Sequence, residues 1–215
     1  MCWPGREQVE ALHLIPTNEE VIDMLRQTGA LRNGHFRYSN DMHADEFLQV
    51  ALAFRYYQAA KILSVGLSRR LRADSEIRAM IKELSIVCPT TGGLPIAYGV
   101  CEALRAHQVY WAEKDTDSAP MRFRQFVETE KGERVLLVDD ILRSGRRLTA
   151  LRALVQSKGA EVVGIAVAVY QPNPTIADFG NLPLFYLAKM DATYYKDSAS
   201  CELCKRGVPV EQIWD

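Results

Sequence analysis

Two rhythms of apolar positions divide the chain. Over residues 57–71 they fall at Ala59, Ile62, Leu63, Gly66, Leu67 and Leu71, one face of a helix, with Lys61, Arg69 and Arg70 left for solvent. An earlier helix carries Val21, Ile22 and Leu25, with Thr17 or Asn18 as its cap and Gly29 past its end. The other rhythm is a short, nearly continuous apolar run. Such runs occupy residues 84–88, 108–112, 134–138, 161–170 and 184–188 and read as strands. Helical patterns separate them, one with Ile96, Val100, Ala103 and Leu104, another over residues 148–155. Strands that are apolar on both faces and alternate with helices predict an α/β fold, a mostly parallel sheet covered on both sides. Residues 34–45 are polar and punctuated, so they read as loop or short strands. Residues 113–120 have no period and read as a mobile loop.

Composition narrows the class. The chain has 215 residues, 48% hydrophobic and 25% charged, which suits one globular domain over residues 1–215 and excludes collagen, coiled coil and disorder. Lys plus Arg is 26 and Asp plus Glu is 27, so the net charge of −1 supplies no field to gather nucleic acid. No apolar run nears the ~20 residues that cross a bilayer, and residues 1–9 have no apolar core of a secretory signal. The expectation is no nucleic acid and no membrane partner. Five cysteines, an odd number, fit free thiols in a reducing cytoplasm.

In a parallel sheet, ligands bind at the carboxyl ends of the strands, which gathers the loops 89–93, 113–120 and 139–147. The last is the richest. The apolar run Val135 to Val138 ends in two adjacent carboxylates, Asp139 and Asp140. Arg143, Ser144, Gly145, Arg146 and Arg147 follow, and then a helix begins. A helix N-terminus has unpaired N–H groups and positive partial charge, so it takes an anion, and Gly145 lets the backbone come close to a phosphate. The acids would repel that phosphate, so they face something else, sugar hydroxyls or a metal-bound water. An ordinary strand-to-helix turn with a capping residue is the plain alternative.

This segment resembles the phosphoribosyl-pyrophosphate (PRPP) motif of type I phosphoribosyltransferases. Pro89, Thr90, Thr91, Gly92 and Gly93, between strand and helix, resemble that family's pyrophosphate loop. Three further stretches resemble the orotate phosphoribosyltransferase branch. Gly34, His35 and Phe36, with residues 39–49 that include His43 and Asp45, are similar to its substrate region. Ala112, Glu113 and Lys114, followed by Met121 to Phe126, are similar to its catalytic loop. Cys201 to Pro209 is similar to the ending of some members. The resemblance covers residues 34–209.

It implies the type I phosphoribosyltransferase fold, a central mostly parallel sheet flanked by helices. Residues 34–57 and 171–215 would form a small hood. It implies a glycosyltransferase that moves ribose 5-phosphate from PRPP to a base, orotate first, and releases pyrophosphate. Asp139 and Asp140 would take the ribose and Lys114 would act on the leaving diphosphate. Arg143, Ser144, Gly145, Arg146 and Arg147 would hold the 5′-phosphate, and Thr90, Thr91, Gly92 and Gly93 the diphosphate. Glu113, Arg122 and Arg124 would belong to the catalytic loop, and Phe36 and Gln171 would meet the base. Mg2+ would be bound near Asp139 and Asp140 through substrate, and a homodimer is implied.

The chain departs from the family at several points. Arg143 and Arg147 stand where hydroxyl residues are usual, and an Arg there either binds phosphate bidentately or fills the pocket. Asp41 replaces a glycine. Gln171 follows Val169 and Tyr170 where an Arg usually meets the orotate carboxylate. These departures leave open a different base, or a regulator that binds PRPP or nucleotide without chemistry.

Other residues read more plainly. Cys201 and Cys204 have half of a zinc spacing, and with no second pair or histidine after them a structural zinc is not expected. His35 and His43 read either as substrate-region residues or as partly exposed loop histidines. Cys88 reads as core, the Arg69, Arg70 and Arg72 cluster as a solvated helix end, and Trp3, Trp111 and Trp214 as packing. Arg122 and Arg124 point the same way from a strand, either toward a diphosphate or along an exposed edge.

Overall fold

A computed structural model describes residues 14–38, 41–116, 119–124 and 127–213. Trp3, Trp214, Ser39 and Phe126 lie outside the described residues. The order begins α1 (Asn18–Gln27), β1 (Leu31–Arg37), β2 (His43–Leu48), a 3-10 turn (Val50–Arg55), α2 (Tyr57–Ala73) and α3 (Ser75–Met80). It continues β3 (Ser85–Pro89), α4 (Gly93–Leu104), β4 (Gln108–Glu113), β5 (Arg122–Phe123), β6 (Arg134–Leu142) and α5 (Arg146–Ser157). It closes with β7 (Glu161–Tyr170), β8 (Leu184–Lys189), β9 (Tyr194–Tyr195), α6 (Glu202–Lys205) and β10 (Glu211–Gln212).

The main sheet has the order β5-β4-β3-β6-β7-β8. Its β4, β3, β6, β7 and β8 are parallel neighbours, and only the two-residue β5 runs antiparallel, at the edge. The alternation along each strand splits the core between its faces. Ile86, Cys88, Leu136 and Val138 pack on the side of α2 and α4. Val87, Val135 and Leu137 pack on the side of α5. The expected α/β architecture is therefore present, with all five apolar runs as strands. Among the described residues no helix is long and apolar enough to cross a membrane.

Local chemistry sets the helix ends. Thr17 accepts from the Glu20 amide at 3.2 Å while Glu20 accepts from the Thr17 amide at 2.6 Å, a reciprocal cap that starts α1. Helices α2 and α4 come together at Gly99, where a Cβ would stand 2.1 Å from Ser64 Oγ, so only glycine allows this approach. At the end of α2 the structure corrects the reading of a merely solvated cluster. Arg69 donates to the Leu14 carbonyl and Arg72 to the Leu104 carbonyl, tying α2 to its neighbours.

A second, four-stranded sheet has the order β10-β1-β2-β9 and joins residues from both ends of the described chain. Strands β1 and β2 are antiparallel, and β10 adds to β1 in parallel. Much of residues 34–45 is thus strand. Its small apolar cluster of Phe36, Tyr38, Ala44 and Ile213 is separate from the main core.

Candidate active site

The chain passes from β3 out to β4 and returns across β3 to β6, so the connections diverge between β3 and β6. Such a divergence leaves a crevice at the carboxyl ends of the two strands. The β3–α4 turn and the acidic pair of β6 meet there. A Cβ on Gly92 would lie 3.0 Å from Asp140 Oδ2, and one on Gly93 would lie 3.0 Å from Asp139 Oδ1. Any side chain at either position would push into the carboxylates. Thr90 is anchored by its amide to the Ala112 carbonyl at 2.9 Å, and the Thr90–Thr91 peptide is cis.

Both carboxylates are buried, at 3% and 6% exposure. Asp139 Oδ1 accepts from the Asp140 amide at 2.9 Å. Burial, and then the neighbouring Asp140 charge, hold the Asp139 carboxyl well above the ordinary carboxylate range, and Arg147 offsets part of this.

Beside the acids lies a cavity of about 440 Å³, lined by Lys114, Asp139, Asp140, the run Arg143 to Leu148, and Tyr38, Met42, Asn173 and Tyr194. Gly145 has φ +76°, a left-handed turn that a Cβ would strain against Phe179 at 3.0 Å. It is the N-cap of α5 and has no side chain to offer the helix, and the first amide, that of Arg146, donates to the Ser144 hydroxyl at 3.4 Å while the next amides of the turn stay open. Helix α4 starts at the acids in the same way, capped by Gly92 without a side-chain bond. Two helix N-termini with open donors thus flank one pair of carboxylates, which makes two anion-accepting ends around a hydroxyl-accepting centre.

The family model of the phosphoribosyl transferase domain matches residues 57–180, the stretch that holds the β3–α4 turn, the acids and the α5 N-terminus. The chain belongs to the phosphoribosyltransferase family. Orotate phosphoribosyltransferase of Carboxydothermus hydrogenoformans is 32% identical over 84% of this chain and 89% of its own length. That of Caldanaerobacter subterraneus subsp. tengcongensis is 30% identical over 89% of this chain and 94% of its own. A phosphoribosyltransferase structure from Corynebacterium diphtheriae superposes with a TM-score of 0.58 at 25% identity, covering 80% of this chain and 95% of that one. Enzyme class follows with the family, that of glycosyl transfer.

The residues singled out in the sequence fall into three groups. Lys114, Asp139, Asp140, Arg143, Ser144, Gly145, Arg146 and Arg147 line one cavity, and Gly92 and Gly93 abut its acids. Arg122 and Arg124 do not line that cavity. Arg122 pairs with Asp115 at 2.5 Å, and Arg124 pairs with Asp115 at 2.8 Å and with Glu113, so the β4–β5 edge satisfies its own charges. Phe36 is buried against Phe47, with ring centroids 5.6 Å apart, and is not part of the cavity wall. Gln171 is 1% exposed and sits behind the wall.

Arg143 has a partner set that no local pattern shows. Its Nε donates to Gln171 Oε1 at 2.9 Å, and its guanidinium also donates to the Leu48 carbonyl at the end of β2. The guanidinium lies 5.9 Å from the Tyr38 ring centroid. Tyr194 OH donates to the same Gln171 oxygen at 3.3 Å, and burial pushes that phenol up to about 12, so it stays a donor. The guanidinium thus joins the β6–α5 turn to the smaller sheet. Sequence reasoning missed Tyr38, Asn173 and Tyr194, and took in Met42 only as part of residues 39–49. The only signal was aromatic residues in the segments assigned to the hood, and nothing in their spacing aims them at the acids.

Other expectations resolve simply. Cys88 is fully buried, and burial raises its thiol to about 12, so it is inert core. Trp111 packs on the core beside Tyr98, with ring centroids 6.4 Å apart. His35 and His43 are buried rather than loop-exposed, and they do not line the cavity. They lie against Cys201 and Cys204 instead.

Proposed function

We propose that this chain transfers ribose 5-phosphate from PRPP to a ring nitrogen of orotate and releases pyrophosphate. The anomeric C–O bond to diphosphate breaks with its electron pair on the leaving group. The C–N bond forms, and the nitrogen loses its proton to solvent. The observation that carries the reading is the pair of buried carboxylates between two helix N-termini without side-chain caps. PRPP has anions at both ends of a sugar diol, and this arrangement is complementary to it.

The roles follow from position. The Ser144 hydroxyl, the backbone at Gly145, Arg146 and Arg147 and the open amides of α5 receive the 5′-phosphate. Asp139 and Asp140 accept from the ribose hydroxyls and face the positive charge that develops on the sugar. The Thr90 to Gly93 turn, the α4 N-terminus and Lys114 receive the diphosphate. Two adjacent carboxylates supply hard oxygen donors at the floor of the cavity. They suit Mg2+, which keeps most of its ligands from water and substrate. When bound, Mg2+ would neutralise diphosphate charge.

Orotate is supported by the named relatives at 30% and 32% identity and by the Arg143 guanidinium beside Tyr38 and Tyr194. A planar anion fits between aromatic faces and one cation. This guanidinium stands beside Gln171, where the family's own Arg is missing. The loop 113–120 would close over the site and exclude water, since hydrolysis of PRPP is the competing reaction. A homodimer in a reducing cytoplasm completes the reading, supported by the family resemblance and the cysteine content.

The test is pyrophosphate release from PRPP and Mg2+, with orotate and then with a panel of other bases. Release with orotate is expected. Release only with another base would keep the mechanism and overturn the specificity. PRPP binding without release on any base would replace the enzyme with a regulator. PRPP binding that survives Asp139→Asn with Asp140→Asn would put the sugar elsewhere.

A further inference from the structure

Four side chains from opposite ends of the chain converge away from the cavity. His35 lies on β1 and His43 on β2, while Cys201 caps α6 and Cys204 lies within it. One nitrogen of each histidine and the two sulfurs all lie within 4.8 Å of one another. Cys201 Sγ is 3.5 Å from His35 Nε2. Cys204 Sγ is 3.6 Å from His35 Nε2 and 3.5 Å from His43 Nδ1. Three of the four residues are buried, and Cys204 is half-buried. We propose that His35, His43, Cys201 and Cys204 form a closed tetrahedral site for a structural zinc ion, outside the cavity that the transferase reading uses.

Geometry supports this over a chance cluster. A tetrahedral centre with Zn–S of about 2.3 Å and Zn–N of about 2.0–2.1 Å has S···N edges of about 3.5 Å. The three S···N separations of 3.5, 3.6 and 3.5 Å match that edge. His35 Nε2 and His43 Nδ1 are 2.8 Å apart, and each moves only a few tenths of an ångström to take an ion at ~2.0–2.1 Å. His35 Nδ1 lies 2.8 Å from the Val208 carbonyl. A carbonyl only accepts, so Nδ1 carries the proton and Nε2 turns its lone pair to the centre. Ligating histidines are commonly oriented through their second nitrogen in this way. Two sulfurs and two imidazoles in a tetrahedron select zinc over magnesium or calcium. Four protein ligands leave no open position, which marks a structural rather than a catalytic ion.

The site has a mechanical consequence. Cys201 and His35 are 166 residues apart in sequence, so one ion would close a very long loop. It would pin α6 and the segment leading to β10 onto the β1–β2 hairpin. Tyr38 and Met42, in the connection between those strands, line the cavity, so the ion would hold one wall of the transferase site.

The experiment measures metal in the full chain purified under reducing conditions without an affinity metal. One zinc per chain is expected by elemental analysis. Cobalt in its place should give the intense visible bands of a tetrahedral centre and a thiolate charge-transfer band in the near ultraviolet. Cys204→Ser and His43→Asn should each lose the ion. Because loss of folding in these variants would also lose the ion, the wild-type chain is stripped with a chelator and reloaded with zinc as well. Stripping should lower Tm by about 5–10 °C, and zinc should restore it. Fewer than about one zinc in ten chains after zinc loading, with both thiols free to react, would overturn the proposal. So would a cobalt spectrum without the thiolate band, or a Cys201–Cys204 disulfide in the reduced preparation.

Discussion

Replacing Arg143 by alanine distinguishes two uses of one guanidinium. If it grips phosphate, Arg143→Ala should weaken PRPP binding and leave the fold as stable as before. The structure ties it instead to Gln171 Oε1 at 2.9 Å and to the Leu48 carbonyl. Alanine removes both donors. Gln171, 1% exposed, then keeps only the Tyr194 hydroxyl at 3.3 Å on its side-chain oxygen. A hydrogen bond from a charged donor contributes about 1.5–3 kcal/mol, and a buried acceptor left short of a partner costs about 1–3 kcal/mol. Arg143 is only partly buried, so water re-solvates some of the loss, and about 3 kcal/mol for the pair of bonds is the working figure. At roughly 2–4 °C per kcal/mol for a chain of this size, Tm should fall by about 6–12 °C. Differential scanning calorimetry on the wild type, Arg143→Ala and Arg143→Lys reads this directly. Lysine keeps the charge but lacks the planar fork that serves two acceptors, so it should recover only part of the loss. Calorimetric titration with PRPP on the same samples reads the other use. An unchanged Tm with PRPP affinity lowered tenfold or more would refute the tether.

Two further outcomes follow. The raised Asp139 carboxyl holds a proton in the folded chain at pH values where the unfolded chain has released it. Its stabilising effect is therefore complete below the ordinary carboxylate range near pH 4 and is lost as pH rises through the raised folded value. Asp139→Asn should remove that loss, so its Tm should exceed that of the wild type at pH 8 and converge on it toward pH 4. Thermal melts across pH check the sign, and a variant less stable than wild type at pH 8 would contradict it. Gly145→Ala places a Cβ at φ +76° and 3.0 Å from the Phe179 ring. It should cost about 1–2 kcal/mol and raise the KM for PRPP more than it lowers kcat, since the change lies where the 5′-phosphate is proposed to bind.

The acidic pair and its surroundings were legible in the chain because their chemistry is local. Four apolar residues, Val135 to Val138, too short a run for a helix and closed off by charge, read as a buried strand, and the carboxylates at its end call for a ligand or water. Gly145 reads as a turn into a helix because a left-handed φ is cheap only for glycine. The five parallel strands were legible for the same reason, each being apolar on both faces. The smaller sheet was less so. Strand β1 buries only Leu31, His35 and Phe36 of its seven residues, so it lacks the period of a half-buried strand.

What tertiary structure alone decided is set by separation along the chain. Arg143 meets Leu48 across 95 residues and Gln171 across 28, and no short-range pattern encodes either partner. The same holds for Cys201, Cys204, His35 and His43. The spacing of the two cysteines showed half of a zinc motif, and the two histidines, more than 160 residues before Cys204, complete the set only because β10 folds back beside β1. A side chain's periodicity reports which way it points from its own element. It carries no information about which distant element packs there, and in this protein that packing decides whether an arginine grips a phosphate or a wall, and whether two cysteines stand alone.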